Sequence, residues 1–430
     1  MAEEQSHRLR SGLLVAAAAI VAIVVALVLV LAVSSSTGSV DTSAAGPFYE
    51  APDPLPEGEP GKVIRSEPMA IPPAVKAPAG ATSRRVLYFT TDPQTGERRV
   101  ASGTVMTPPG KAPDGGRPVL AWAHATIGVA PKCAPSLDRT PAPATVPGLG
   151  DFLRRGWTVA STDYPGLGTA GPNAYLVGEA EGRAVLDAAR AARALEPGGA
   201  SAETVVWGHS QGGQAALFAG QDAGRYAPEL EVLGVAAAAP AVELRELLDL
   251  DGKTINGLVL GSMVLWSWPK TVPGVSLDGL VGAGGRRLVD AIASRCLKGP
   301  GSLTRDLAAA ELEKLSRSVE IEELAGDPGW SRALAENTPQ AAGSGPPLYI
   351  AQGTADPLVK PQTTASYFRR LCVAGRRARL VLMPGVGHVK AGQAGAGGAV
   401  EWAQALRAGD GAPPGCRVTR APRGQFAGAG

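Results

Sequence analysis

Hydrophobic and polar positions divide the chain into stretches of different period. At the front, Leu13–Val33 runs for 21 residues without a charged or strongly polar side chain. At 1.5 Å per residue that run crosses a hydrocarbon layer of about 30 Å. Residues 34–80 have no period at all. Their Ser-, Gly- and Pro-rich strings (SSSTGS, APDPLPEGEPG, AIPPAVKAPAGA) predict an extended spacer with neither helix nor sheet. From about residue 81 the pattern changes to short apolar or alternating runs separated by helical periods. Arg85–Thr91 and Arg98–Thr107 flank the turn Asp92–Gly96 and predict a hairpin. Pro118–Ala123, Trp157–Thr162, Glu203–Trp207, Leu230–Ala239, Pro347–Ala351 and Ala378–Met383 predict buried strands. Val185, Ala188, Ala189, Ala192 and Leu195 fall on one face of a helix within 174–195, and a second helix is predicted from Gly212 to about Asp222. Strands alternating with helices predict an α/β fold on a mostly parallel sheet.

One stretch departs from that alternation. Residues 242–345 show helical patterns (VELRELLDL, LTRDLAAAELEKLSRSVEIEELAG) and no convincing strand. The predicted organisation is therefore a basic tail over 1–12, the apolar segment 13–33, the spacer 34–80, an α/β core in two parts (81–241 and 346–430), and a helical cap over 242–345 between them. Within the cap, Leu258–Trp268 (LVLGSMVLWSW) reads either as packed core or as the wall of an apolar pocket.

Composition narrows the class. In 430 residues, 41 Lys+Arg balance 39 Asp+Glu to a net charge of +2, so there is no basic stripe for nucleic acid and no acidic tail. Gly (56) and Pro (37) are abundant but lack a collagen period. His7, Arg8 and Arg10 precede the apolar segment, which orients the remainder of the chain outward. Two readings of that segment stand. It is a membrane anchor, or a signal peptide cleaved near Ala32-Val33-Ser34. Either one exports the protein. In an oxidising compartment Cys133, Cys296, Cys372 and Cys416 form two disulfides, with three possible connectivities. No CxxC, Cys/His cluster, P-loop, HExxH or EF-hand pattern calls for a metal or a cofactor.

The chemistry centres on Gly208-His-Ser210-Gln-Gly212, placed directly between the strand ending at Trp207 and a helix. G-x-S-x-G in that context is a nucleophile elbow: the turn is too tight for a Cβ at either flanking glycine, and it lifts the serine hydroxyl above the sheet. Ser210 is the candidate nucleophile and needs a base. His209 is adjacent, and adjacent elbow side chains point apart. His124 ends a strand in a loop better suited to an oxyanion role. His388, in Pro384-Gly-Val-Gly-His388 after the strand 378–383, is the candidate base. Asp356, in Gln352-Gly-Thr-Ala-Asp356 after the strand 347–351, is the candidate acid, with Asp327 and Glu336 as alternatives inside the cap. The backbone N–H of Gln211, paired with that of Thr126 or its neighbour Ile127, is the candidate oxyanion hole. Gly166-Leu-Gly168-Thr-Ala-Gly171 matches a dinucleotide fingerprint, but Pro172 follows and the helix starts late, which argues against that use.

These motifs, with His124-Ala-Thr-Ile-Gly-Val-Ala-Pro-Lys-Cys133-Ala-Pro-Ser136 and Asp163-Tyr-Pro-Gly-Leu-Gly-Thr169, resemble the α/β-hydrolase superfamily and, within it, the secretory lipase family, over roughly residues 80–420. The resemblance implies a Ser210/Asp356/His388 triad, no cofactor, and action on carboxylic esters, often lipid esters. It also implies disulfides Cys133–Cys296 and Cys372–Cys416. The front of the chain departs from the family pattern in its long apolar segment and Pro-rich stretch. Same-fold acyl transfer or peptide cleavage, and a non-catalytic surface-anchored binding module, are the competing readings.

Overall fold

A computed structural model describes residues 39–137, 146–195, 199–297, 309–319, 321–410, 412 and 414–422. The basic tail and the apolar segment Leu13–Val33 lie outside them. Among the described residues, no helix is long and apolar enough to cross a membrane.

The strands form one sheet in the order β1-β2-β3-β5-β4-β6-β7-β8-β9-β10. β1 (Val63–Met69), β2 (Thr82–Thr91) and β3 (Arg98–Thr107) are antiparallel, and β3 joins β5 (Thr158–Thr162) antiparallel. From β5 onward every neighbour is parallel: β4 (Arg117–Ala123), β6 (Ala200–His209), β7 (Glu231–Ala238), β8 (Leu348–Gly353), β9 (Ala378–Met383) and β10 (Cys416–Arg420). The central strands β4 and β8 are buried along their whole length, as continuous apolar runs covered on both faces should be.

Helices supply the cover. α2 (Gly178–Ala194), α3 (Gln211–Tyr226) and α10 (Pro361–Val373) pack on one face, and α1 (Leu149–Arg154) and α11 (His388–Arg407) on the other. Alanines and glycines along the α2–α3 seam let the backbones approach closely. An added Cβ at Gly182 would lie 2.8 Å from the Ala219 nitrogen. Between β7 and β8 come α4 (Leu244–Asp251), α5 (Ile255–Thr271), α6 (Ala283–Ala293), α7 (Ala309–Ser316), α8 (Ile321–Gly326) and α9 (Pro328–Glu336). These helices build their own apolar core, in which Trp268 stacks on Trp330 with ring centroids 5.6 Å apart.

One expectation changes. The Pro-rich stretch is no spacer from Val40 onward, because it belongs to the same compact unit as the sheet. Its Tyr49 is buried, with the hydroxyl 3.0 Å from Ser136 Oγ, and its Val63–Met69 segment adds an edge strand. The Ala45 N–H donates to the Gly168 carbonyl and the Gly171 N–H to the Thr42 carbonyl, stitching the stretch to the loop after β5. Proline is tolerated there because an edge strand needs hydrogen bonds on one side only. The second addition is β10, short, polar and exposed, which pattern alone does not distinguish from a tail.

Both disulfides join the pairs that the resemblance implies. Cys133–Cys296 ties the loop after β4 to the segment after α6, and Cys372–Cys416 ties α10 to β10.

Candidate active site

The elbow forms because β6 runs directly into α3 through one residue. Ser210 takes φ 59°, a region costly for any residue with a Cβ. Hydrogen bonds fix it there. The Ser210 N–H donates to the Ala238 carbonyl, while the Ser210 carbonyl accepts from Gln214 and Ala241. A Cβ at Gly208 would stand 1.9 Å from the Gly212 oxygen, and one at Gly212 2.0 Å from the Ala123 oxygen, so both flanking glycines are sterically required.

His388 opens α11 after the turn that follows β9. Its Nε2 lies 2.8 Å from Ser210 Oγ and its Nδ1 2.8 Å from Asp356 Oδ2. Asp356 is buried in the loop after β8. Its Oδ1 accepts the N–H groups of Leu358 and Val359 at 2.9 Å each, and Oδ2 also accepts from Gln352 Nε2 at 3.4 Å. Gln352 is itself held by Thr364 Oγ1, which donates to its Oε1, and donates onward to the Val359 carbonyl. The carboxylate is thus anchored from one side and presents its other oxygen to the imidazole.

The alternative acids are engaged elsewhere. Asp327 caps α9, accepting from the N–H groups of Gly329 and Trp330, and exposed Glu336 pairs with Arg332 at 3.8 Å. His124 is buried with its two ring nitrogens facing the Ala125 and Asp163 carbonyls, and its pKa is lowered by burial. The Gly166–Gly171 loop leads to no adjacent helix, since α2 starts only at Gly178.

Several contributors lie inside the quoted motifs, but the motifs assign them no role. The His209 Nε2–H donates to the His388 carbonyl at 3.0 Å, fixing the start of α11. Burial first, and then the nearby His388, push its pKa down to about 3, so His209 stays neutral and does not compete as a base. Asp163 accepts from Ser102 Oγ at 2.6 Å and from the Ser136 N–H and hydroxyl, binding the loop after β4 to the loop after β5. Burial raises this carboxyl to about 6. Short motifs contain these residues but cannot reveal what they do, because each acts on a partner distant in sequence.

Above Ser210 lies an apolar cavity of about 170 Å³. Ser210, His388, Gln211 and Thr126 line it, together with Leu258, Val264 and Trp268 of α5. The LVLGSMVLWSW stretch is therefore both core and pocket wall. Thr126 faces the cavity, with Oγ1 3.0 Å from the Tyr175 hydroxyl, whereas the Ile127 carbonyl is tied to the Leu297 N–H outside the lining.

A mostly parallel sheet bearing a serine on a strained strand-to-helix turn, faced by an imidazole and a carboxylate from loops after later strands, defines the α/β-hydrolase class, here a carboxylic ester hydrolase. The chain belongs to the secretory lipase family, whose sequence pattern matches residues 148–413. It is 26% identical over 331 residues, 73% of its length and 71% of the other, to a protein of Mycobacterium tuberculosis named "Probable inactive lipase MT1628". It is 30% identical over 227 residues to the "Secreted triacylglycerol lipase LIP4" of Malassezia globosa, a match over 50% of this chain and about half (48%) of that relative. Among solved structures, Candida antarctica lipase A in its closed state superposes with a TM-score of 0.69 at 22% identity, over 89% of this chain and 90% of that one. The rice cell wall degrading esterase LipA of Xanthomonas oryzae superposes at 0.68 with 19% identity, over 82% of this chain and all (100%) of that one. At these identities the structural likeness is one of fold.

Proposed function

We propose that the protein is an exported serine hydrolase that cleaves acyl esters, lipid esters among them, through Ser210, His388 and Asp356. The observation that carries this reading is the continuous chain Ser210 Oγ–His388 Nε2 and His388 Nδ1–Asp356 Oδ2, each at 2.8 Å, with Ser210 and His388 lining an apolar cavity. In this reading His388 takes the Ser210 proton as Oγ attacks the ester carbonyl, and Asp356 fixes the tautomer and stabilises the imidazolium. The Gln211 N–H, at the first turn of α3, and the Thr126 N–H hold the developing oxyanion, aided by the helix dipole. His388 then protonates the leaving alcohol, and water, activated by the same imidazole, releases the acyl group from Ser210. The leucines and tryptophans of α4, α5 and α9 receive the acyl chain, so residues 242–345 act as a cap that shapes the substrate site.

Export fits the two disulfides, which persist in oxidising compartments, and relatives named as secreted lipases. Fractionating cells and medium and sequencing the mature N-terminus reads whether Leu13–Val33 is retained as an anchor or removed.

The name of the mycobacterial relative favours a second reading, a lipase-like protein without catalysis. A fluorophosphonate probe separates the two. Labelling of Ser210 in the wild type, lost in Ser210→Ala, together with turnover of a p-nitrophenyl ester series, supports the hydrolase. An unlabelled, inactive and folded wild type supports the second reading.

A further inference from the structure

The mechanism above does not use Glu181, a carboxyl side chain of α2 that is only 1% exposed. Its Oε1 accepts from Gln211 Nε2 at 2.6 Å and from the Leu176 N–H at 3.0 Å. Gln211 follows the nucleophile, Leu176 is held at φ 56°, and both line the cavity beside Ser210. Glu181 Oε2 and Gln211 Oε1 are also buried, and neither has a hydrogen-bond partner among the described residues. Two buried acceptors without a donor are costly, and a proton on Oε2 supplies a donor.

We propose that Glu181 is a positioning residue for the oxyanion side of the site. As a neutral acid it clamps Gln211 and Leu176 from behind; when it ionises it keeps those two bonds but sets a negative charge beside the oxyanion. The surroundings agree. Tyr164 and Tyr175 face it, and burial raises both hydroxyls above their usual range. Gln214 of α3 donates to the Leu176 carbonyl, and His124, with its lowered pKa, lies behind Tyr164. Arg183, two residues along α2, is engaged by Glu179 and Asp222. No cation among the described residues bonds to Glu181 to hold a carboxylate there, and burial pushes this carboxyl up to about 8. Ionisation above that pH places a negative charge next to Gln211, where the oxyanion develops, and so raises the barrier.

This inference rests on the Ser210 reading, and the experiment separates the two. The full chain is assayed from pH 6 to pH 9.5 on a soluble short-chain p-nitrophenyl ester as wild type, Glu181→Gln and Glu181→Ala, with thermal melts at pH 6.5. The wild-type kcat falls as pH rises through about 8, with KM nearly constant. Glu181→Gln, a neutral isostere, stays within about threefold of wild type at pH 6.5 and loses that alkaline fall, while Glu181→Ala lowers kcat about tenfold across the range. An alkaline fall that persists unchanged in Glu181→Gln, or a Glu181→Ala enzyme equal to wild type, overturns the proposal. Should the variants not fold, the pH dependence of fluorophosphonate labelling of wild-type Ser210 decides. A rate that falls through about 8 supports the proposal, and a flat one overturns it. Wild type that does not label at any pH overturns the Ser210 reading instead.

Discussion

Replacing Asp356 with Asn tests the site most directly, because the structure dictates which way the amide must face. Oδ1 accepts two backbone N–H groups, from Leu358 and Val359, at 2.9 Å each. An amide nitrogen at that position would confront two donors, so the Asn oxygen stays there and the NH₂ takes the place of Oδ2. That NH₂ then donates to His388 Nδ1, placing the ring proton on Nε2, where it points at Ser210 Oγ. A base that already carries its proton on the side of the nucleophile cannot remove another. The imidazolium also loses its counter-charge. In the serine-protease template the same change costs about 10⁴ in kcat, equivalent to about 5 kcal/mol of barrier at roughly 1.4 kcal/mol per decade. The fold should survive, because the two backbone bonds are kept and the new NH₂ opposes only the long Gln352 contact, for about 1–2 kcal/mol of stability. The assay is kcat on a soluble short-chain ester near pH 7.5, with a thermal melt on the same preparation. An Asp356→Asn protein that melts like wild type and keeps more than about a tenth of its kcat would refute the assignment.

Three further outcomes follow from the same geometry. Asp327→Ala removes the N-cap of α9, so it should cost about 1 kcal/mol of stability and lower the melting temperature while leaving kcat within a few-fold, the opposite signature to Asp356→Asn. Removing Cys133–Cys296 by a double Ala substitution should cost about 2–5 kcal/mol, visible as a lowered melting temperature, because the bridge closes a loop of 163 residues between the oxyanion-side loop and the segment after α6. Gly261 lines the cavity, and an added Cβ there meets nothing within 4 Å. Gly261→Phe should therefore fill space that an acyl chain needs, lowering kcat/KM for long-chain p-nitrophenyl esters about tenfold or more while sparing butyrate. Equal losses for short and long chains would remove α5 from the acyl site.

The Ser210 elbow and the central strands are legible in the chain because their constraints are local. A one-residue turn between strand and helix demands glycine on both sides, and a strand covered on both faces demands an unbroken apolar run. Asp356 and His388 could be placed because each follows a strand that the apolar pattern predicts. Other parts obey no local rule. Residues 40–80 look like a spacer because proline suppresses every periodic signal, yet Tyr49 is buried and β1 pairs, since one free edge of a sheet accepts a chain whose own sequence expresses no preference. β10 is similar: Arg417, Val418 and Arg420 face solvent, and what holds the strand is its pairing with β9 and the Cys372 bridge.

The site divides along the same line. Sequence determined which side chains could act as nucleophile, base and acid, because hydroxyl, imidazole and carboxylate chemistry belongs to the residue. Only the tertiary structure decided that Asp327 caps a helix and Asp356 meets His388, that His209 steadies the carbonyl of the base, and that Glu181 lies behind Gln211. Apart from the Asp327 cap, those pairings join residues 30 to 179 positions apart. Their energies arise from burial and hydrogen-bond geometry, quantities that exist only once the sheet and its helices have closed around them.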